Sequence, residues 1–148
     1  MKELLGRTIR SVEVNDDETL LRFQCDGGAV TFEVYGECCS TSWFADLVGY
    51  AALIDSLVTE TRAVELEEGK APPSGVPSSE SLTASGRSWQ EEDKLYGYVI
   101  TTERGRCTVA FRNSSNGYYG GDLRLSDRGA GAKWRTIVDD WSAVGSGG

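Results

Sequence analysis

The chain has 148 residues, of which 39% are hydrophobic and 26% charged, and its formal net charge is −8. A chain of this length typically forms one domain and buries ~70% of its unfolded surface, so its stability requires neither a metal nor a disulfide. It contains no histidine, which excludes a Ser-His-Asp triad, a Cys-His pair and any metal site with a histidine ligand.

The acidic balance also bears on partners and location. Binding to the nucleic-acid backbone needs clustered lysine and arginine, so we expect no direct binding to that backbone. The sequence has no apolar run near the ~20 residues of a membrane helix, and its start, MKELLGRTIR, lacks the features of a signal peptide. We therefore expect a cytoplasmic protein without a membrane partner.

The first part of the chain predicts three strands. Apolar residues alternate with polar ones in RTIRSVEV, TLLRFQC and AVTFEVY, which is the period of a half-buried strand. The DGG between the second and third runs is a signal for a tight hairpin turn. The residues on the inward faces are Val12, Val14, Leu21, Phe23, Cys25, Val30, Phe32 and Val34.

The next segment, GECCSTSWFADLVGY, contains two adjacent cysteines and then a run that predicts a short helix. The run begins with Thr41 and Ser42, either of which is suited to cap a helix, and it ends at Gly49. Its apolar residues have helical spacing, which predicts that they pack against the core. These residues are Trp43, Phe44, Leu47 and Val48.

A second set of strands resembles the first. LVTETRAVEL and LYGYVITTERGRCTVAF repeat the apolar alternation, with the turn ERG in place of DGG. We predict two pseudo-repeated β-β-β units in an α+β fold that is mainly antiparallel sheet, with one or two short helices. In this scheme GECCS and NSSNG follow equivalent strands. The matching apolar residues of the second unit are Tyr98, Ile100, Cys107, Val109 and Phe111.

Residues 67–93 interrupt the strands. All three prolines lie here among serine, glycine and glutamate, which predicts a mobile surface insertion. We predict a single domain over residues 1–144 with this insertion, followed by a flexible tail at 145–148. The run AKWRTIVDDWSAV before the tail predicts either a short helix or an extended packing segment.

The four cysteines do not suggest a metal site or a disulfide. Disulfides are rare in a reducing cytoplasm, and zinc sites usually space their cysteines two to four residues apart. Cys25 and Cys107 lie on inward strand faces, where we expect reduced core thiols. Cys38 and Cys39 precede the predicted helix, whose N-terminus favours thiolate, so a reactive thiol there stays an alternative.

The loop FRNSSNGYYGG combines hydrogen-bonding side chains, glycines that permit close backbone approach, and two tyrosines. These groups suit the binding of a small anion, a nucleotide or a partner's backbone, although the loop lacks the Gly-Lys-Ser/Thr ending of a Walker A motif. The alternative is a polar turn that satisfies its own backbone. The candidate binding residues are Arg112, Asn113, Asn116, Tyr118 and Tyr119, together with Cys38 and Cys39.

GECCSTSWF, FRNSSNGYYGG and a closing WRTIVDDW resemble an uncharacterised family of small proteins found mostly in phages and in bacteria with phage-like genes. The family is a domain of unknown function. The resemblance covers residues 4–119 and extends to Trp141. It implies a phage accessory protein in the bacterial cytoplasm, and it implies no activity or cofactor.

Three functions remain open at this point. The first is a small acidic, non-catalytic protein that binds and modulates a host or defence protein. The second is a small-molecule or nucleotide-binding protein that uses residues 112–121. The third is an enzyme with a cysteine thiolate, which we rank last because the chain offers no histidine base. We predict no cofactor, no metal and no catalytic residues.

Overall fold

The alternating segments form an antiparallel β structure. The computed structural model describes residues 1–36, 40–84, 92–115 and 121–143. The described part confirms a mainly antiparallel α+β fold with two short helices. Its elements are a 3₁₀ turn at Lys2–Leu4, β1 Thr8–Asn15, β2 Leu20–Cys25, β3 Gly28–Gly36, β4 Thr41–Val48, α1 Tyr50–Leu53, β5 Ser56–Glu65, α2 Glu80–Thr83, β6 Glu92–Thr102, β7 Gly105–Ser115, β8 Gly121–Leu125, β9 Trp134–Ile137 and β10 Trp141–Ser142.

The strands lie in the order β10-β4-β7-β6-β5-β1-β2-β3-β8, and β9 pairs with β1. β1 and β5 share only a short ladder, in which Thr8 pairs with Leu57 and Ile9 with Ser56. Beyond this ladder β1 pairs with β9 instead. The sheet therefore has two halves: β1, β2, β3, β8 and β9 form one, and β4, β5, β6, β7 and β10 form the other.

Two-residue turns connect the strands of two hairpins, β2–β3 and β6–β7. Cys25 pairs with Gly28, so Asp26 and Gly27 form the turn, and Gly27 has a φ of 89°. Glycine adopts this left-handed conformation without strain, which is why the DGG signal predicted the hairpin correctly. In the other half, Thr102 pairs with Gly105 across an equally short turn.

The largest apolar cluster contains residues from both halves of the sheet. Cys107 is fully buried in it as a free thiol, whereas the free thiol of Cys25 is half-buried against its margin. Burial raises the pKa of the Cys107 thiol well above its ordinary value. Of the residues predicted on inward strand faces, Cys25 and Tyr98 are only partly buried. Phe23, Phe32, Val34, Ile100, Val109 and Phe111 are buried in the core.

The helix predicted after GECCS is wrong, because the run forms strand β4. A register shift between Phe44 and Asp46 interrupts its pairing with β7. This irregularity brings Phe44 and Leu47, three residues apart, into the same central cluster. On the other face, Trp43 packs with β10. A strand that is irregular and buried on both faces therefore has the apolar spacing of a helix.

Residues 75–84 of the predicted insertion pack against the outer face of β7. Thr108 Oγ donates a hydrogen bond to Pro77 O over 2.7 Å. Leu82 in α2 is fully buried in a small cluster with Val48 and Ala110. This part of the insertion therefore covers the sheet rather than projecting from it. Trp89, the one tryptophan of the insertion, lies outside the described residues.

The C-terminal run is extended, which is one of the two structures predicted for it. β9 pairs with β1, and Trp134 places its ring over the Arg22 guanidinium, 4.0 Å from the ring centroid. β10 pairs with β4. Between them, Asp140 Oδ1 accepts hydrogen bonds from the backbone N–H groups of Gly49 and Tyr50, which stabilises the start of α1. Residues 144–148 lie outside the described part.

Candidate functional site

The residues that flank the two sequence motifs lie side by side. Gly36, at the end of β3, pairs with Gly121, at the start of β8. Thr41, at the start of β4, pairs with Ser114, near the end of β7. The first motif connects β3 to β4, and the second connects β7 to β8. Both motifs therefore run between the β3–β8 pair and the β4–β7 pair. We call the four flanking residues, Gly36, Thr41, Ser114 and Gly121, the motif base.

A buried hydrogen-bond network links the strands at the motif base. Asn113 has no exposed surface, and its Nδ2 donates to Ser40 Oγ over 3.1 Å and to Ser42 Oγ over 2.9 Å. Ser42 Oγ in turn donates to Tyr35 O over 2.9 Å. Asn113 therefore connects β7 with both flanks of the first motif. Its substitution would remove the hydrogen bonds to Ser40 and Ser42.

One polar atom of this network lacks a hydrogen-bond partner in the described part of the chain. Asn113 Oδ1 is buried, and among the described residues it has no hydrogen-bond partner. A buried acceptor without a donor costs ~1–3 kcal/mol. Asn113, next to Ser114 of the motif base, therefore has an acceptor that no donor in the described part of the chain fills.

Arg112 lies on the opposite face of β7 from Asn113, because successive side chains of a strand alternate. Its side chain is fully buried, and its Nη2 donates to Leu82 O over 3.1 Å and to Ala84 O over 3.0 Å. The guanidinium thus fastens the end of α2 to the sheet. The sequence suggested Arg112 as a donor for an external anion, but the structure directs this donor to the protein's own backbone.

The other predicted site residues, Cys38, Cys39, Asn116, Tyr118 and Tyr119, lie outside the described residues, and their roles stay predictions. The helix N-terminus that was expected to favour a thiolate at Cys38 or Cys39 is absent, because the chain enters strand β4 at Thr41. The lowering of the thiol pKa by a helix dipole therefore does not apply here.

The sequence analysis missed a cleft of about 280 Å³ between the two halves of the sheet. It is slightly smaller than the ~300–1,000 Å³ of typical small-molecule pockets. Burial raises the pKa of the Tyr98 phenol in its wall, with smaller contributions from Asp122 and Glu3. The alternation of Leu123 and Leu125 was its only sequence signal. The cleft is lined by Phe32, Tyr98, Leu123 and Leu125, with Lys2, Glu3 and Arg62 also on its wall.

Two carboxylates on the outer face of the first half are held by arginines. The hydrogen bond from Arg22 lowers the pKa of Glu13 more than burial raises it. Burial is the largest influence on Glu33 and raises its pKa, but hydrogen bonds from Tyr35, Arg128 and Ser126 together outweigh it, so that its pKa is lowered. Both side chains are therefore ionised acceptors at neutral pH.

The described part of the chain contains neither a metal-ligand cluster nor a membrane-spanning helix. No group of three or more cysteine, aspartate or glutamate side chains in the described part is arranged to hold a metal ion. No helix in that same part is long and apolar enough to cross a membrane.

A family model for a domain of unknown function, DUF7448, matches residues 2–125. The chain belongs to this family. The match confirms the resemblance to an uncharacterised family, and it contains β1 to β8 with both motifs of this DUF7448 chain. The closing WRTIVDDW, together with β9 and β10, lies beyond the matched region. No curated protein and no solved structure matches the chain.

Proposed function

We propose that this DUF7448 chain is a small, non-catalytic accessory protein that binds another protein and modulates it. The binding surface is the one carried by the motif base. The pairing of Gly36 with Gly121 and of Thr41 with Ser114 supports this proposal, because it gives both unusual motifs the same support. Loops on a rigid sheet are where binding residues concentrate.

The shifted pKa values of four side chains favour binding over catalysis. General acid–base catalysis works best with a group whose pKa lies near the working pH. The pKa values of Glu13 and Glu33 are lowered, and those of Tyr98 and Cys107 are raised. All four shifts move the group away from neutral pH, as expected for groups that stabilise the fold.

The nature of the partner follows from charge and family resemblance. A net charge of −8 favours association with a basic surface through long-range attraction. With the phage-type motifs, this supports a host or defence protein in the bacterial cytoplasm as the partner. Asn116, Tyr118, Tyr119, Cys38 and Cys39 are the proposed contact residues, while Asn113 and Arg112 support them from within the sheet.

The strand order supports the pseudo-repeat as part of this proposal. β4 follows the first β-β-β unit and pairs with β7, the last strand of the second unit. β8 follows the second unit and pairs with β3, the last strand of the first. The exchange is reciprocal, as expected for two related units, and it is the reason that the flanks of both motifs meet at the motif base.

A second candidate is a small-molecule or nucleotide site at residues 112–121. The buried Asn113 Oδ1, without a donor among the described residues, favours it. The engagement of Arg112 with Leu82 O and Ala84 O counts against it, because the loop then loses its cation for a phosphate. Melting curves with a nucleotide panel test it, since a ligand at ~100 times its Kd adds ~2.7 kcal/mol of stability.

The proposed protein-binding surface is tested with Tyr118→Ala and Tyr119→Ala as separate variants. Adjacent residues of an extended chain point to opposite sides, so we expect different effects. One variant should lower the melting temperature, whereas the other should keep it and lose capture of the partner from bacterial lysate. Thr59→Ala, at an exposed position on β5, serves as the control. If both tyrosine variants lower only the melting temperature, the motif is structural.

A further inference from the structure

β8 is the last strand of the sheet, and in the described part of the chain no strand pairs with its outer edge. Natural edge strands are usually protected from pairing by proline, lysine, a bulge or a covering loop. The sequence of β8, Gly121-Asp122-Leu123-Arg124-Leu125, contains neither proline nor lysine. Its register with β3 is regular over all five residues. This edge is therefore suited to accept another strand.

The hydrogen bonds of β3 show which groups of β8 point outward. Val34 N donates to Thr19 O on the β2 side, whereas Thr31 O accepts from Ser126 N on the β8 side. Alternate residues of an antiparallel strand direct their backbone groups to opposite neighbours. Asp122 and Arg124 thus direct theirs to β3, in step with Ser126. Gly121, Leu123 and Leu125 direct their N–H and C=O groups to the open edge, where Leu123 N donates to Asp122 Oδ1 of its own chain over 2.9 Å.

We propose that β8 pairs antiparallel with β8 of a second copy of this chain, about a two-fold axis at Leu123. Leu123 then exchanges two backbone hydrogen bonds with the partner's Leu123. Gly121 does the same with the partner's Leu125, and Leu125 with the partner's Gly121. Such an isologous interface joins the two sheets into one.

The charges on β8 select this register. With the axis at Leu123, Asp122 lies directly opposite the partner's Arg124, and Arg124 opposite the partner's Asp122. A shift of two residues in either direction places Asp122 opposite Asp122 or Arg124 opposite Arg124. Opposite charges across a strand pair are favourable and like charges unfavourable, so the neighbouring registers are disfavoured.

Both charged side chains are free to change partners. Arg124 Nε now contacts Asp122 Oδ2 of its own chain over 2.9 Å, with side-chain exposures of 62% and 59%. The Arg124 guanidinium also lies over the Tyr35 ring, 4.6 Å from its centroid. Exchange of one exposed ion pair for another has a small energetic cost. The pairing therefore exchanges exposed contacts, including the hydrogen bond from Leu123 N to Asp122 Oδ1, for backbone hydrogen bonds, and it breaks no buried contact.

The apolar side chains on the inner face agree with the pairing. Leu123 lies opposite the partner's Leu123, and Leu125, which is 58% exposed, lies opposite the partner's Gly121, which offers room for it. A five-residue strand covers less than the ~1,200–2,000 Å² of a stable interface. We therefore expect a reversible, concentration-dependent dimer. This inference goes beyond the proposed function, because it concerns the open edge of β8 and a second copy of the chain.

The test is sedimentation equilibrium of the full chain over a wide range of concentrations. The average mass should rise toward twice that of one chain. Asp122→Arg and Arg124→Asp should each raise the dimer Kd about tenfold or more, because each makes two attractive pairs repulsive. The double variant Asp122→Arg/Arg124→Asp restores opposite charges and should restore the dimer. Circular dichroism confirms that each variant is folded.

Leu125→Pro provides a test that leaves the charges unchanged. It removes an outward N–H but no hydrogen bond to β3, so it should also raise the dimer Kd. A chain that stays monomeric at all concentrations overturns the inference. So does a dimer that tolerates either single charge reversal, or one that the double variant does not restore. The Tyr118→Ala and Tyr119→Ala variants report on the proposed function separately, since neither changes β8.

Discussion

Replacement of Arg112 by methionine tests whether this residue stabilises the fold or binds a ligand. Its guanidinium is fully buried and donates to Leu82 O and Ala84 O. Methionine keeps a long, flexible side chain at the site but has no donor. Arg112→Met therefore removes both hydrogen bonds and leaves the two carbonyl groups at the end of α2 without this donor.

The expected loss can be worked out from these contacts. Hydrogen bonds to a charged group contribute ~1.5–3 kcal/mol each, and removal of a buried cation recovers part of this sum, since its desolvation cost is also removed. We expect Arg112→Met to lower the free energy of unfolding by about 3 kcal/mol. For a domain of this size, the melting temperature should fall by about 6–12 °C. Urea unfolding measures the first quantity and calorimetry the second.

Arg106→Met is the matched control. Arg106 lies on the same strand, β7, and its Nη1 donates to Gly75 O of the insertion over 3.2 Å. Unlike Arg112, Arg106 is exposed. We expect this variant to lose less than about 1 kcal/mol, because exposed polar contacts contribute little. If Arg112→Met is as stable as the natural chain, the structural role of Arg112 is refuted. If that variant also fails to bind a partner or ligand, Arg112 has the binding role that the sequence suggested.

Three further predictions concern packing, backbone and pH. Leu82→Ala should lower the free energy of unfolding by about 3 kcal/mol in urea titrations, because Leu82 is fully buried; an unchanged value would mean that α2 does not cover the sheet. Gly49→Ala should lower the melting temperature strongly, because Gly49 has a φ of 99° and a Cβ there meets Arg106 O; an unchanged melting temperature would contradict this geometry. Arg22→Met should destabilise the protein at pH 7, and by progressively less as the pH falls below 4.5. Arg22 lowers the pKa of Glu13 from its ordinary 4.5, so the stabilisation is present above that value and is lost as pH falls through the lowered pKa. An equal loss over the whole acidic range would show that the ion pair is not the cause.

Strands were predicted correctly where one face is apolar and the other is polar. β2 and β3 have this pattern, and a two-residue turn with glycine fixes their register. β4 failed because both of its faces are buried, by the core on one side and by β10 and α2 on the other. The polar composition of residues 67–93 predicts a mobile insertion. Composition gives no sign of the packing of a single residue such as Leu82, which lies in a buried cluster with Val48 and Ala110.

The candidate site was predictable in outline only. The sequence indicated that two motifs follow equivalent strands, and the pairing of Thr41 with Ser114 and of Gly36 with Gly121 agrees with a shared base. It did not indicate that Arg112 and Asn113, neighbours in sequence, serve opposite faces of β7. That division depends on which face α2 covers, and long-range packing of this kind leaves no local signal. The cleft at Tyr98 was missed for the same reason, since its wall comes from five separate parts of the chain.

The central claim, that a protein partner binds at the surface carried by the motif base, is tested most directly by site-specific photo-crosslinking in bacterial cells. Thr41 is exposed and belongs to the motif base, whereas Thr59 is exposed on β5 near the opposite end of the sheet. A photoreactive amino acid at position 41 should yield one discrete crosslinked product with another protein, and the same amino acid at position 59 should not. Equal products from both positions, or none from position 41 under every growth condition, would contradict the account.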